Sequence, residues 1–216
     1  MGSRYELPSG ARLRVLSMSG RVLVTAEERS DIEVEPSERH FEVKDDGRVV
    51  EIKSKSGSID VRCPSGLNVS VGAMSGSVRL EGRFGTVKVS TVSGGIEIDT
   101  TEGDVDARCA SGSISVKECR GQCTLHTKSG RLSVGRVDGS AHAFTVSGGV
   151  ELGTSGHGEV EVHTVSGGIA VKVLEPRHPR VHFRSLAGKL RCDCVQGSDF
   201  DLKAKSISGS LQVTGE

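Results

Sequence analysis

Large aromatic side chains are almost missing from this chain, which has no Trp, one Tyr and five Phe in 216 residues. Rings of that size fill wide cores, so their scarcity points to a narrow stack. It also removes the stacking platforms of single-strand nucleic-acid binders. Excess charge of either sign is missing too: 28 Lys or Arg face 28 Asp or Glu. A nucleic-acid footprint needs a basic stripe, so this balance argues against that partner. No apolar run approaches the roughly 18 residues of a membrane-spanning helix. No secretory leader opens the chain. As it stands it reads as cytoplasmic, with the cell envelope as the alternative if a leader or anchor has been trimmed.

What is abundant is glycine, 29 residues placed at regular intervals. Thr91-Val92-Ser93-Gly94-Gly95-Ile96-Glu97-Ile98 returns as Thr145-Val146-Ser147-Gly148-Gly149-Val150-Glu151-Leu152, and again as Thr164-Val165-Ser166-Gly167-Gly168-Ile169-Ala170-Val171. Weaker copies surround Gly112 and Gly130. Gly94, Gly112, Gly130 and Gly148 are 18 residues apart, and Gly167 follows after 19. Half-copies fall midway, at Gly103, Gly121, Gly139 and Gly158. A fixed period of this kind marks a repeat architecture.

Two and four residues after each glycine stand apolar, mostly β-branched residues, such as Ile96/Ile98, Val105/Ala107, Ile114/Val116 and Leu132/Val134. That alternation predicts short strands with one buried face. The glycines Gly94, Gly112, Gly130, Gly148 and Gly167 are the predicted structural corners, where φ > 0 is tolerated without a Cβ. Strands 18 residues apart resemble each other more than strands nine apart. Three residues before the glycine, Thr91, Cys109, Thr127, Thr145 and Thr164 form a ladder of small residues, whereas Thr100, Glu118, Arg136 and Ser155 in the other half do not. In a meander such strands need not converge; in a coil of two strands they stack on identical neighbours. The expected fold is all-β: a single parallel β-solenoid, about 18 residues and two strands per coil.

Residues 4–55 do not keep the nine-residue beat. They read as an irregular N-terminal β cap of the same domain, with a hairpin turn at Asp45-Asp46-Gly47. The repeats occupy 56–216, interrupted by a Pro-containing loop at 174–182. Within that loop Pro176, Arg177, His178, Pro179 and Arg180 form the candidate binding loop, set against the plainer alternative of a surface insertion. The last repeat strand, Leu211-Gln212-Val213, has no cap after it. An open edge there predicts a weak homodimer through the C-terminal end.

Chemistry-bearing residues are scattered. The six cysteines, 63, 109, 119, 123, 192 and 194, lack paired Cys-x-x-Cys spacing and read as small buried hydrophobes. No metal and no cofactor is implied. His126 and His163 share a phase but lie two coils apart, about 10 Å at one strand spacing per coil, too far to share a metal. Asp104/Asp106 and Glu159/Glu161 each place two carboxylates on one outer strand face, about 6–7 Å apart. Inverting glycoside hydrolysis could use that separation, but aromatic sugar platforms are missing. No catalytic triad, phosphate loop or nicotinamide fingerprint is present.

The phrases Thr-Val-Ser-Gly-Gly-Ile/Val and Ser-Gly-Ser-Ile-x-Val, together with Ser19-Gly20-Arg21-Val22, resemble a bacterial β-strand-repeat family labelled "putative adhesin", a domain of unknown function with a β-helical fold. The resemblance covers about Ala11 to Val213. It implies a non-catalytic role at or near the cell envelope and carries over no site residues. The expected function is a non-enzymatic binding or scaffold protein, adhesin-like, with a protein or glycan partner. The alternatives are a carbohydrate-active β-helix enzyme and a self-assembling structural protomer.

Overall fold

The computed structural model describes residues 3–6, 11–36, 41–45 and 48–215. Among these, every regular element is a strand. In chain order the N-terminal strands are β1 (Ser3–Glu6), β2 (Arg12–Ser19), β3 (Val22–Glu27), β4 (Asp31–Pro36), β5 (Phe41–Asp45), β6 (Val49–Ser54) and β7 (Ile59–Pro64). Regular two-strand coils follow: β8 (Asn68–Ser75) with β9 (Val78–Phe84), β10 (Val87–Ser93) with β11 (Ile96–Thr101), and β12 (Val105–Ser111) with β13 (Ile114–Cys119). Next come β14 (Cys123–Ser129) with β15 (Leu132–Val137), β16 (Ala141–Ser147) with β17 (Val150–Thr154), and β18 (Val160–Ser166) with β19 (Ile169–Val173). The chain ends with β20 (Pro179–Ala187), β21 (Leu190–Asp193), β22 (Phe200–Ser208) and β23 (Leu211–Gly215).

From β6 onward consecutive strands do not pair with each other; β5 and β6 pair antiparallel at the N-terminal end. Even-numbered β8 to β18 stack in one parallel sheet and odd-numbered β9 to β19 in the other. Val87 pairs with Val105, Val105 with Cys123 and Cys123 with Ala141, each an 18-residue step, and Ala141 pairs with Val160. Each coil is therefore one strand in each sheet, as the 18-residue identity requires. The core is the narrow space between the sheets. Ile96, Ile98, Val105, Ala107, Ile114, Val116, Leu132 and Val134 are all buried. Burying one such side chain stabilises the stack by roughly 1.5–3 kcal/mol, and among the described residues Phe84 and Phe200 are the rings buried in it. Thr91, Cys109, Thr127 and Thr145 point inward as a column beside it. The other sheet has its own inward column, Phe84, Thr101, Cys119, Val137 and Thr154, all fully buried. It stands one residue away from the position where no ladder is legible in the sequence.

Both ends of the stack are permuted. The sheet orders are β1-β4-β7-β3-β9-β11-β13-β15-β17-β19-β23-β21 and β20-β22-β18-β16-β14-β12-β10-β8-β2-β6-β5. Thus β2 and β3 form an inner coil, and β6 and β7 stack outside them. Among the described residues only β1, β4 and β5 lie beyond, all antiparallel. The residues of the expected turn at Asp46-Gly47 lie outside the described residues. At the other end β20 and β21 lie outermost, and the later β22 and β23 slot in beneath them. The expectation that Leu211–Val213 forms the open terminal edge is overturned: β23 is paired on both sides, to β19 and to β21. The C-terminal end at which a dimer contact was expected is built by β20 and β21. Arg180, His182 and Arg184 stand exposed on β20. Outward cations on an edge strand disfavour pairing with a like edge.

Candidate functional site

The corner glycines repeat the permuted order independently. A Cβ on Gly20 would meet the carbonyl of Gly57, one on Gly76 that of Gly20, and one on Gly94 that of Gly76. The contact continues through Gly112, Gly130, Gly148 and Gly167 to Gly209, and Gly188 meets Gly209. Ten glycines thus form one column down a single edge of the solenoid. Gly94, Gly112, Gly130, Gly148 and Gly167 have φ between 128° and 148°, where L side chains are strained. Here the chain turns from one sheet to the other within two residues while coils stack at backbone contact, so the edge is thin and convex.

The insertion near residue 174 lies at the opposite edge. Only residues 174–178 are loop; Pro179 and Arg180 begin β20. The loop exists because the chain leaves β19 and passes the position later filled by β22 and β23. Its side chains are tied down. Arg136 Nη2 donates to Glu175 Oε1 at 2.9 Å, and Arg136 Nε to Asp138 Oδ1 at 2.7 Å. The His178 backbone N–H donates to Asp199 Oδ2 at 2.8 Å, which holds the Asp199 carboxyl below its ordinary pKa. Arg177 Nη2 donates to His157 Nε2 at 2.9 Å, so His157 carries its proton on Nδ1 and donates to Ser155 Oγ at 3.0 Å.

The Ser155–His157 contact lacks the arrangement of a nucleophilic dyad. Ser155 is fully buried and its hydroxyl is directed at Val137 O, 3.2 Å away. The second imidazole nitrogen faces a guanidinium where a triad would place a carboxylate. The outer carboxylate pairs are likewise engaged. Asp104 Oδ1 accepts the Gln122 backbone N–H at 2.8 Å, and Asp106 accepts from Arg108 at 2.9 Å. Glu159 is paired with Lys203. Glu161 meets His163 Nε2 at 2.9 Å, which lowers its carboxyl pKa. A general acid needs a raised pKa; among the described carboxylates, the resolved shifts are all downward.

His126 and His163 flank Phe144 on successive coils, with the His126 ring 6.0 Å from that of Phe144. Among the described residues no cluster of His, Cys, Asp and Glu could hold a metal. Cys63, Cys109, Cys119 and Cys123 are buried, and all six thiols are free. Burial pushes the Cys63 thiol up to about 12. Cys192 and Cys194, on the terminal coil, bring their sulfurs to 2.8 Å.

One feature of the glycine edge is not singled out by the sequence reasoning. Two residues before each column glycine a side chain points outward, and Met18, Met74, Val92, Ile207 and Leu186 at that position are 51–86% exposed. Read separately, each is a stray surface apolar residue; the stacking order makes them neighbours.

These observations define a two-sheet parallel β-solenoid whose distinctive surfaces are its edges and flat strand faces. The chain belongs to the Toastrack DUF4097 family, whose model matches residues 17–172. Among solved structures, a "putative lipid binding protein" from Parabacteroides distasonis is similar with a TM-score of 0.62 and 14% identity, over 100% of this chain and 96% of that one. A "putative adhesin" from Bacteroides fragilis gives a TM-score of 0.44 at 13% identity, over 100% and 96%. One from Parabacteroides merdae gives 0.40 at 9%, over 100% and 95%. No curated protein matches the chain. At such identities the likeness speaks for the fold alone. No helix of the described residues is long and apolar enough to cross a membrane.

Proposed function

We propose that this chain is a rigid, non-enzymatic binding or scaffold module associated with the bacterial cell envelope. The supporting observation is the repetition of outward positions in register from coil to coil, as in the exposed row Ser93–Ser111–Ser129–Ser147. Such stacking produces long, uniform surfaces. Coils contact only their neighbours, so the unit is stiff along its axis and suits presentation of a surface. In this reading residues 4–55 contain the N-terminal cap, with β1, β4 and β5 covering the last parallel coil while β2, β3 and β6 belong to the stack. The Pro176–Arg180 segment offers a second contact point to a protein or glycan. A glycan array and a panel of glycosidase substrates test the reading together. Binding without turnover supports it; hydrolysis lost in a Glu159→Gln or Asp106→Asn variant overturns it.

A further inference from the structure

The balanced charge of the chain hides a segregation that only the stacking order reveals. Take the six residues from four before to one after each of the ten column glycines. These ten hexapeptides run from Lys53–Ser58 at one end of the stack to Arg184–Lys189 at the other. They contain no Asp or Glu, although the chain has 28, and they contain nine Lys or Arg. All 28 carboxylates lie elsewhere. Among the described residues, Lys55, Lys128, Arg184 and Lys189 have no carboxylate within salt-bridge distance, while Arg21, Lys53, Arg108, Arg131 and Lys205 reach back to Asp60, Glu51, Asp106, Glu151 and Glu161 on the adjoining faces. The cations gather at both ends of the column and around Gly112 and Gly130, a local bias that net charge does not show.

The same edge is apolar. Its outermost column reads, in stacking order, Lys55, Met18, Met74, Val92, Ala110 and Lys128, then Val146, Val165, Ile207 and Leu186. Eight of the ten are aliphatic, standing one strand spacing apart, so the ridge is about 43 Å long. Beside it runs a column of serines, among them Ser75, Ser93, Ser111, Ser129, Ser147 and Ser166, all exposed. An apolar row of this length, interrupted at Lys128 and half-buried at Val146, marks a contact surface. Because the chain turns a corner here, the row is a convex ridge and offers no groove to a peptide.

We propose that this glycine-column edge docks on the surface of an anionic lipid bilayer, which deepens the envelope-associated reading above and rests on it. Aliphatic side chains reach the headgroup–acyl boundary, serine hydroxyls meet headgroup oxygens, and the acid-free cationic flank matches the negative surface potential. The opposite edge, bearing Glu102, Asp104, Glu118 and Asp138, faces away. Nucleic acid fits less well, since aliphatic side chains gain nothing from phosphates.

The test is flotation of the full chain with vesicles of phosphatidylcholine alone and of phosphatidylcholine with phosphatidylglycerol. The chain binds the anionic vesicles and not the neutral ones, and salt weakens the binding. A Val92→Asp/Ile207→Asp double variant and a Lys55→Glu/Lys128→Glu double variant each lose about tenfold or more in apparent affinity. Glu97→Gln, on the outer face of the other sheet, binds as wild type. All substituted side chains are exposed, and circular dichroism confirms that each variant folds. Absence of vesicle binding, or wild-type binding by both double variants, overturns the proposal. So does a concentration-dependent dimer that Val92→Asp/Ile207→Asp dissolves without any vesicle binding, which assigns the ridge to a second copy of the chain. Glycan binding without vesicle binding sinks the ridge proposal and leaves the binding-module reading standing; glycoside hydrolysis sinks that reading alone.

Discussion

Gly148 and Gly149 are adjacent, and the fold treats them oppositely, which makes them a sharp test of the stacking. Gly148 has φ +147°, and a Cβ there would lie 1.9 Å from the Gly130 carbonyl oxygen. A Cβ on Gly149 would have only the Gly168 oxygen nearby, at an ordinary 3.7 Å. Alanine at 148 therefore meets two costs. Its backbone conformation is strained by about 1–2 kcal/mol. Relieving the overlap separates two coils at the corner and stretches hydrogen bonds such as Gly130 N–H to Ser147 O at 3.0 Å and Gly148 N–H to Ser166 O at 3.1 Å. Each bond contributes about 0.5–1.5 kcal/mol, so Gly148→Ala is expected to destabilise by about 2–5 kcal/mol. Gly149→Ala should stay within about 0.5 kcal/mol of wild type. Gly167 and Gly168 provide a replicate: the first would meet Gly148 O, the second nothing within 4 Å. Urea unfolding followed by far-UV circular dichroism measures all four variants. Equal losses at 148 and 149 would refute the stacked-glycine column.

Deleting Thr127–Phe144, one whole coil, should leave a folded, shorter solenoid, because it joins matching positions and preserves every kind of coil contact. Deleting only Thr127–Gly135 places one sheet's strand on the other's and should unfold the stack; indistinguishable thermal melts would rule out the two-strand coil. Glu151→Gln, in an exposed pair with Arg131 at 3.7 Å, should change stability by less than about 0.5 kcal/mol in the same urea assay. Hydrogen bonds from Arg29 hold the Asp31 and Glu33 carboxyls below their ordinary pKa. Their contribution is present above the ordinary carboxylate range of about 4 and lost as pH falls through the lowered values. Melting temperature should drop less between pH 5 and pH 3 in Arg29→Gln than in wild type. Ellman's reagent at pH 8 should leave Cys63, Cys109, Cys119 and Cys123 untouched until urea is added, since buried thiols are inert; Cys192, half-buried, should react first, ahead of Cys194, whose thiol is pushed up to about 12 by burial and by the Cys192 sulfur.

Short-range pattern was enough to specify the coil. Alternation at plus two and plus four named the buried residues, glycine named the corners, and the 18-residue identity named which strands stack, because each signal lies within one coil and its neighbour. The carboxylate pairs were legible only in part: Asp106 and Glu161 face outward from β12 and β18, whereas Asp104 and Glu159 lie in the corners just before those strands. What the tertiary structure alone decided is the order of coils at the two ends. Parallel pairing of β2 with both β6 and β8, and of β22 with both β18 and β20, joins segments whose local sequences would fit equally well in chain order. The apolar, acid-free edge depends on that order: Met18 stands beside Met74, and Ile207 lies between Val165 and Leu186, only because the end coils are permuted. Net charge averages over both edges of the molecule, so a sum of zero could not show that one edge carries nine cations and no acid.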